Sequence, residues 1–103
     1  MTDIVLSERE TAEGLLVSAC DADVMGETFE NGEVSLTVEE AFYGGDGAER
    51  GVSAERIARS LSSCTTANLV GEHTVAVAIE QGFVDEETVM DIDGTRHAQL
   101  VWL

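Results

Sequence analysis

The segment from Cys64 to Phe83, CTTANLVGEHTVAVAIEQGF, is the longest apolar-rich stretch of the chain. Its second half, from Glu72 to Gln81, spaces its apolar residues as a helix does, and the following Gly82 is typical of a helix C-terminus. Its first half carries hydroxyl and thiol side chains that weaken helix propensity, which predicts a frayed helix end. The segment therefore predicts two helical pieces that are separated at Gly71.

An earlier segment predicts a helix that begins at Ser53. The frayed C-terminal end of this helix would extend into the first half of the stretch. Ser53 is a favourable N-cap, and Val52 and Ile57 stand at the positions of a hydrophobic staple. The apolar stripe consists of Ala54, Ile57, Ala58 and Leu61, and the residues expected to face water are Glu55, Arg56, Arg59 and Ser60. The helix is thus amphipathic and should pack one face on a core.

The remaining apolar segments alternate with a period of two, which is typical of β-strands. Residues 4–6 and 14–20 predict one hairpin. Residues 28–30 and 34–38 predict a second hairpin around Asn31-Gly32, because both central positions of a type I′ turn need positive φ. In its second strand Val34, Leu36 and Val38 should face inward.

A third hairpin is predicted around Asp93-Gly94, from residues 88–92 and 96–103. Its last strand is apolar on both sides, which predicts a position inside the sheet rather than at its edge. The glycine-rich residues 39–51 predict a mobile loop. The predicted fold is therefore α+β: a small single domain over residues 1–103, mostly antiparallel β hairpins packed with two central helices.

The charge balance is strongly acidic: 21 Asp and Glu residues face five Arg and no Lys, and the formal net charge is −16. The many periodic aliphatic residues exclude a disordered acidic chain, and the dispersed carboxylates differ from the dense patch of a DNA mimic. A dispersed acidic surface without Lys indicates a salt-rich cytosol, so we predict a cytoplasmic protein of a halophile. Because the Debye length is about 3 Å at molar salt, net charge then indicates little about partners.

The two cysteines, Cys20 and Cys64, form neither a disulfide framework nor a metal-ligand pattern with the histidines. Cys64 has no basic neighbour in the sequence that would activate its thiol, so nucleophilic catalysis is not expected. No apolar run approaches the length of a membrane span, and the N-terminus does not resemble a signal peptide. We therefore predict no metal, no cofactor and no membrane association.

Short strings along the chain resemble one protein family. They are FYGG at residues 42–45, TANLVGE at 66–72, AIEQGFV at 78–84 and HAQL at 97–100, together with ETAEGLLV at 10–17 and CDA at 20–22. In order and spacing they resemble the archaeal domain-of-unknown-function 424 family over nearly the whole chain. The resemblance implies a small cytosolic archaeal protein with an α+β fold and no established activity, and the acidic, Lys-free composition suggests a haloarchaeal member.

Two candidate residues lie at the predicted break between the helical pieces. The amide of Asn68 would either cap the broken backbone or face a ligand. Gly71, together with the backbone amides of the helix that follows it, could bind an anion. Both residues are therefore candidate ligand contacts.

Other candidates come from the last strand and from the glycine-rich region. His97 and Gln99 share one strand face, so they either line a pocket or cover the solvent side of the sheet. Tyr43 precedes Gly44 and Gly45, and it would serve either as a core anchor or as a stacking platform beneath a flap.

The residues leave three functional hypotheses open. The first, which we favour from the sequence, is a non-enzymatic binding module that contacts RNA or a translation-linked protein. Arg56 and Arg59 fall on one helix face and would contact phosphates, unless they pair with Glu49 and Glu55 instead.

The second hypothesis is a small-molecule-binding protein or enzyme. It predicts that the side chains of four residues converge on one concave surface: Tyr43, Asn68, His97 and Gln99. The third is an oligomerising or adaptor protein, because the chain ends in the apolar residues 101–103 without a polar tail. In that case the protein would form a homo-oligomer or bind a foreign partner.

Overall fold

A six-stranded mixed β-sheet forms the centre of the protein, whose computed structural model describes residues 3–45 and 47–102. The strands of the chain are β1 (Ile4–Thr11), β2 (Gly14–Asp21), β3 (Thr28–Asn31), β4 (Val34–Thr37), β5 (Glu49–Arg50), β6 (Thr66–Val70), β7 (Met90–Ile92) and β8 (Thr95–Val101). The helices are α1 (Glu40–Tyr43), α2 (Ala54–Ser63) and α3 (Glu72–Glu80). The sheet has the order β5-β1-β2-β6-β8-β7, and β3 and β4 form a separate hairpin. This architecture confirms the predicted α+β class.

The sheet separates two layers with different apolar cores. Along β1, Ile4 and Leu6 pack into the core beneath α2 and α3, whereas Val5 between them packs into the core on the other face. This alternation follows from the two-residue period of a strand. The second core is the smaller one and consists of Val5, Cys20, Val38, Tyr43 and Val70. The β3-β4 hairpin and α1 therefore cover one face of the sheet, and the two longer helices cover the other.

Residues 66–70 form strand β6 at the centre of the sheet, so the prediction of a frayed helix end is wrong. β6 pairs in parallel with β2 and antiparallel with β8. Both edges of its backbone are thus hydrogen-bonded, which outweighs a weak local helix propensity. Ala67 and Leu69 lie in the helix-side core, while Asn68 faces the opposite layer.

The structure confirms three further predictions. The side chain of Ser53 accepts a hydrogen bond from the amide of Arg56 at 3.1 Å and so caps α2. Gly82 has a φ of +83°, and the amide of Phe83 donates to the carbonyl of Ala78, as in a Schellman motif. β8 lies between β6 and β7, inside the sheet as predicted.

The hairpin turns agree with prediction to different degrees. Asp93 and Gly94 have φ values of +49° and +86°, which fits the predicted tight turn between β7 and β8. In the β3-β4 hairpin Asn31 pairs with Val34, so the turn consists of Gly32 and Glu33, one residue later than predicted. This register puts positive φ on Gly32, which tolerates it better than Asn.

Three further details differ from the sequence prediction. Residues 39–51 contain α1 and β5 rather than a loop alone, because β5 pairs with the edge of β1. Val34, beside the hairpin turn, is exposed, whereas Ser60 is buried and its hydroxyl is satisfied by donating to Glu8. Asp46 in the predicted loop and Leu103 in the predicted last strand lie outside the described residues.

Candidate functional site

A cavity of about 310 Å³ lies between the sheet and the layer formed by the β3-β4 hairpin and α1. Strands β6 and β8 provide its floor, and β4 and α1 provide its walls. Its lining residues are Leu36, Thr37, Glu39, Phe42, Tyr43, Asn68, His97 and Gln99. The structure therefore brings together the four residues whose convergence the second hypothesis requires.

Asn68 and Gln99 lie opposite each other on neighbouring strands and form an amide pair on the cavity floor. They are register partners between β6 and β8, and Nε2 of Gln99 donates to Oδ1 of Asn68 at 2.9 Å. One such bond leaves one amide NH2 group and one amide carbonyl for other partners, whichever way the two amides are turned. The pair can therefore offer a ligand both a donor and an acceptor.

His97 is held in one orientation by the backbone of the neighbouring strand. Its Nδ1 lies 3.0 Å from the carbonyl oxygen of Leu69. Because a carbonyl can only accept a hydrogen bond, Nδ1 must carry the proton, and in the neutral ring Nε2 is then an acceptor. This fixed tautomer is the arrangement expected of a histidine that presents Nε2 to a ligand.

Tyr43 and Phe42 form an aromatic wall beside the polar floor. Their rings meet edge to face with centroids 5.2 Å apart, and Tyr43 is only 4% exposed. Burial raises the pKa of Tyr43 to about 12, and the neighbouring Cys20 adds to the shift. Tyr43 therefore stays a neutral phenol at physiological pH, and it belongs to the smaller core while also lining the cavity.

The position of this wall is fixed by Arg9, a residue that the sequence analysis did not single out. Its guanidinium donates to the carbonyl oxygens of Ala41 and Phe42, and it lies 5.1 Å from the centroid of the Phe42 ring. A cation at the C-terminal end of a helix is favourable, and the guanidinium also stacks on the aromatic ring. Arg9 therefore anchors α1 to β1.

Glu39 is the charged residue among the described residues that line the cavity. It is exposed and lies at the junction of the hairpin and α1. The sequence pattern did not indicate Leu36, Thr37 or Glu39, because their place beside the floor depends on how the hairpin and α1 fold back over the sheet. Their closeness in sequence to Tyr43 was the signal that could have found them.

Gly44 and Gly45 do not line the cavity, and their surroundings are tightly packed. A Cβ at Gly45 would lie 2.7 Å from the carbonyl oxygen of Ala41, and one at Gly44 would lie 2.9 Å from Cε of Met25. Both glycines therefore permit a close approach of chain segments at the end of α1. This packing supports the core-anchor interpretation of Tyr43 rather than the flap.

Gly71 also has a structural explanation. The backbone amides of His73 and Thr74, at the start of α3, donate to the carboxylate of Asp21 at 3.0 and 2.8 Å. The anion expected at this helix terminus is thus a side chain of the protein itself. Gly71 has a φ of +115°, and a Cβ there would lie 2.4 Å from Cγ of Asp21.

The two arginines of α2 differ in their surroundings. Arg56 donates to both carboxylate oxygens of Glu49, at 3.1 and 2.6 Å, and lies 3.2 Å from Glu8. These contacts raise the pKa of Arg56 and lower that of Glu49. The pKa of Glu8 is lowered chiefly by the hydrogen bond from Ser60 and further by Arg56. Arg59 is exposed. The alternative that Arg56 pairs with Glu49 is therefore confirmed.

The described residues contain no cluster of three or more His, Cys, Asp or Glu side chains that could hold a metal ion. Cys20 and Cys64 are free and buried. Burial raises the pKa of the Cys64 thiol and raises that of Cys20 to about 12, so both thiols are poor nucleophiles at neutral pH. Within the described ranges, no helix is long and apolar enough to cross a membrane.

Comparison with known proteins decides the family. The family described as "Protein of unknown function (DUF424)" matches residues 8–103. The chain belongs to this family. All of the lining residues of the cavity fall within the matched range.

A solved structure has a similar fold. It is that of an uncharacterized conserved protein from Methanopyrus kandleri, which is 21% identical and has a TM-score of 0.76. The match covers 98% of this chain and 95% of that chain. No curated protein matches the chain. At this identity the similarity concerns the fold alone.

Proposed function

We propose that this DUF424 family member binds a small polar organic molecule in the cavity between the sheet and α1. The observation that carries the proposal is the convergence of an amide pair, an oriented imidazole and an aromatic wall on one cavity. Its volume of about 310 Å³ lies at the lower end of the range of about 300–1,000 Å³ found for ligand sites. A few directed polar groups beside apolar walls are the usual composition of such sites.

The chemistry of Tyr43 and of the amide pair suits ligand binding. Tyr43 with a pKa of about 12 is a hydrogen-bond donor rather than a base at neutral pH. The Asn68-Gln99 pair is uncharged and can orient a ligand but cannot transfer a proton at physiological pH. We therefore infer that these groups serve to recognise and orient the ligand.

The proposal is tested by NMR titration of the 15N-labelled protein with a panel of small polar compounds. A ligand of the cavity should shift the amide resonances of Asn68, His97 and Gln99 together. The substitutions Asn68→Ala and Gln99→Leu should weaken this response. The chain offers matched controls, because Asn31 and Gln81 are exposed residues outside the cavity.

In that design Asn31→Ala and Gln81→Leu should leave the titration unchanged. If no compound moves the cavity resonances, or if the control substitutions weaken the response as much as the cavity substitutions do, the proposed function is wrong. Dispersed amide spectra of all four variants serve as the check of folding.

Contact with RNA or with a translation-linked protein is a second proposal. It now rests on Arg59, which is exposed on α2, because Arg56 is engaged by Glu49 and Glu8. An Arg59→Gln variant should then lose association with RNA-containing fractions in native salt. Unchanged association would reject this proposal without affecting the cavity.

Self-association is a third proposal. Val101 and Trp102, at 58% and 49% exposure, place apolar surface at the end of β8. A monomeric mass in molar KCl would exclude a homo-oligomer.

A cytoplasmic location in a halophile is likewise proposed from the net charge of −16, and it predicts that the unfolding temperature rises with KCl concentration.

A further inference from the structure

We infer that the cavity selects a neutral, planar nitrogen heterocycle that carries an amino group beside a ring acceptor, as adenine and cytosine do. This inference rests on the proposed function and names the chemical class of its ligand. Three properties of the described residues carry it: the hydrogen-bonding groups of the floor, the charge of the lining and the shape of the walls.

The floor presents hydrogen-bonding groups that complement the edge of such a heterocycle. The Asn68-Gln99 pair leaves one amide NH2 and one amide carbonyl, and His97 adds Nε2 as an acceptor when its ring is neutral. An amino group next to a ring nitrogen offers the matching set, since the amino group donates and the ring nitrogen accepts. In other proteins a single Asn or Gln amide recognises adenine by donating and accepting at once. Here the donor and the acceptor come from the two residues of the pair.

The charge of the lining disfavours anions. Glu39 is the charged residue among the described lining residues, and it is negative. The guanidinium of Arg9, which holds this wall, is occupied by the carbonyls of α1 and by the Phe42 ring. A phosphate or carboxylate would therefore find no compensating cation among these described groups.

Glu39 alone does not make the cavity a site for aliphatic amines. Its side chain is exposed at the rim, where an ion pair contributes at most about 1 kcal/mol and is screened by salt. Asn68 and Gln99 of the floor are register partners on β6 and β8, and their uncharged amides are not screened by salt. Selectivity should therefore come from the floor.

The walls suit a flat ligand. Phe42, Tyr43 and Leu36 of β4 all line the cavity, so the polar floor lies beside apolar and aromatic surface. Aromatic surface next to hydrogen-bonding groups is the usual environment of a recognised base. The volume of about 310 Å³ suits a single heterocycle rather than an extended ligand.

The experiment titrates the labelled protein in molar KCl with five probes. Adenine and cytosine represent the inferred class, and inorganic phosphate, acetate and putrescine represent anions and amines. Adenine or cytosine should shift the amide resonances of Asn68, His97 and Gln99, whereas the other three probes should not. Loss of one directed hydrogen bond should weaken binding about tenfold.

The variants His97→Phe and Gln99→Leu measure that loss. Gln99 is exposed, so its substitution tests the inference even if His97→Phe disturbs folding. The matched controls are His73→Phe and Gln81→Leu, which replace the other histidine and the other glutamine of the chain. Both controls should bind as the unmodified protein does.

The outcomes separate the inference from the proposed function. If phosphate, acetate or putrescine alone shifts the cavity resonances, the cavity binds small molecules but the inferred class is wrong. If heterocycles bind equally well to His97→Phe and Gln99→Leu, the inferred recognition is wrong. If none of the five probes moves these resonances, the inferred class is rejected, and failure of the broader compound panel as well rejects the proposed function.

Discussion

Asp21, the last residue of β2, caps α3 by binding Thr74 twice. Its Oδ1 accepts from the backbone amide of Thr74 at 2.8 Å and from the Thr74 hydroxyl at 2.7 Å, while Oδ2 accepts from the amide of His73. Asp21 is only 4% exposed and Thr74 is fully buried. A carboxylate from a neighbouring strand thus performs the role that an N-cap side chain normally has, since the N-cap position itself is Gly71.

We expect the substitution Asp21→Asn to destabilise the protein by about 1–3 kcal/mol. An amide keeps the size of the side chain but turns one of its two acceptors into a donor that faces backbone N–H groups. The matched control is Asp85→Asn, because Asp85 starts a 3-10 turn without capping it through its side chain. Urea unfolding curves measure both changes, and equal losses for the two variants would contradict the capping role.

Gly71→Ala tests the space that this cap requires. An added Cβ would lie 2.4 Å from Cγ of Asp21, so the substitution should displace the cap as well as strain the backbone. Gly82→Ala is the control, because Gly82 has a φ of +83° and no atom within 4 Å of the added Cβ. Gly82→Ala should lower the free energy of unfolding by about 1–2 kcal/mol because of the positive φ alone, and Gly71→Ala should lower it clearly more. Similar unfolding temperatures for the two variants would contradict this account.

The conformation of residues 64–71 could not be predicted from local sequence pattern alone. The N-cap at Ser53, the helix end at Gly82 and the turn at Asp93-Gly94 are local features, and each was predicted correctly. Strand β6 depends instead on pairing with β2 and β8, which are distant in sequence. Its five residues carry no strong strand signal, so only the tertiary pairing decides their conformation.

The sequence predicted the residues of the cavity floor better than those of its walls. Alternation along β8 places His97 and Gln99 on one face, and that much follows from sequence. The position of Asn68 beside Gln99 follows from the β6-β8 register, which no local motif encodes. Glu39 was missed because its relation to the floor depends on how the hairpin and α1 fold back over the sheet.

The buried hydroxyl of Ser60 predicts a specific pH dependence of stability. It donates to Glu8 at 2.7 Å, and this bond, followed by the contacts with Arg56, lowers the pKa of Glu8 below its usual value of 4.5. A carboxylate whose pKa is lower in the folded state stabilises the fold above the unfolded pKa, and the contribution is lost as the pH falls through the folded pKa. Stability from this contact should therefore be present at neutral pH and absent in acid.

Ser60→Ala should accordingly lower the free energy of unfolding by about 0.5–1 kcal/mol at neutral pH, with the moderate exposure of Glu8 reducing the effect. The difference from the unmodified protein should shrink below about pH 4. Ser63→Ala is the control, since Ser63 is exposed at the end of the same helix. Urea unfolding at several pH values measures both variants, and a difference that stays constant into acid would show that Glu8 is not involved.

The tautomer of His97 gives the most direct physical test of the cavity floor. Because Nδ1 donates to the carbonyl oxygen of Leu69, neutral His97 should carry its proton on Nδ1 and leave Nε2 unprotonated. Long-range 1H-15N correlation spectra distinguish the two tautomers from the 15N chemical shifts of the ring. A neutral His97 that is protonated on Nε2 would contradict the assignment, and it would leave the floor with a donor where the inferred heterocycle needs an acceptor.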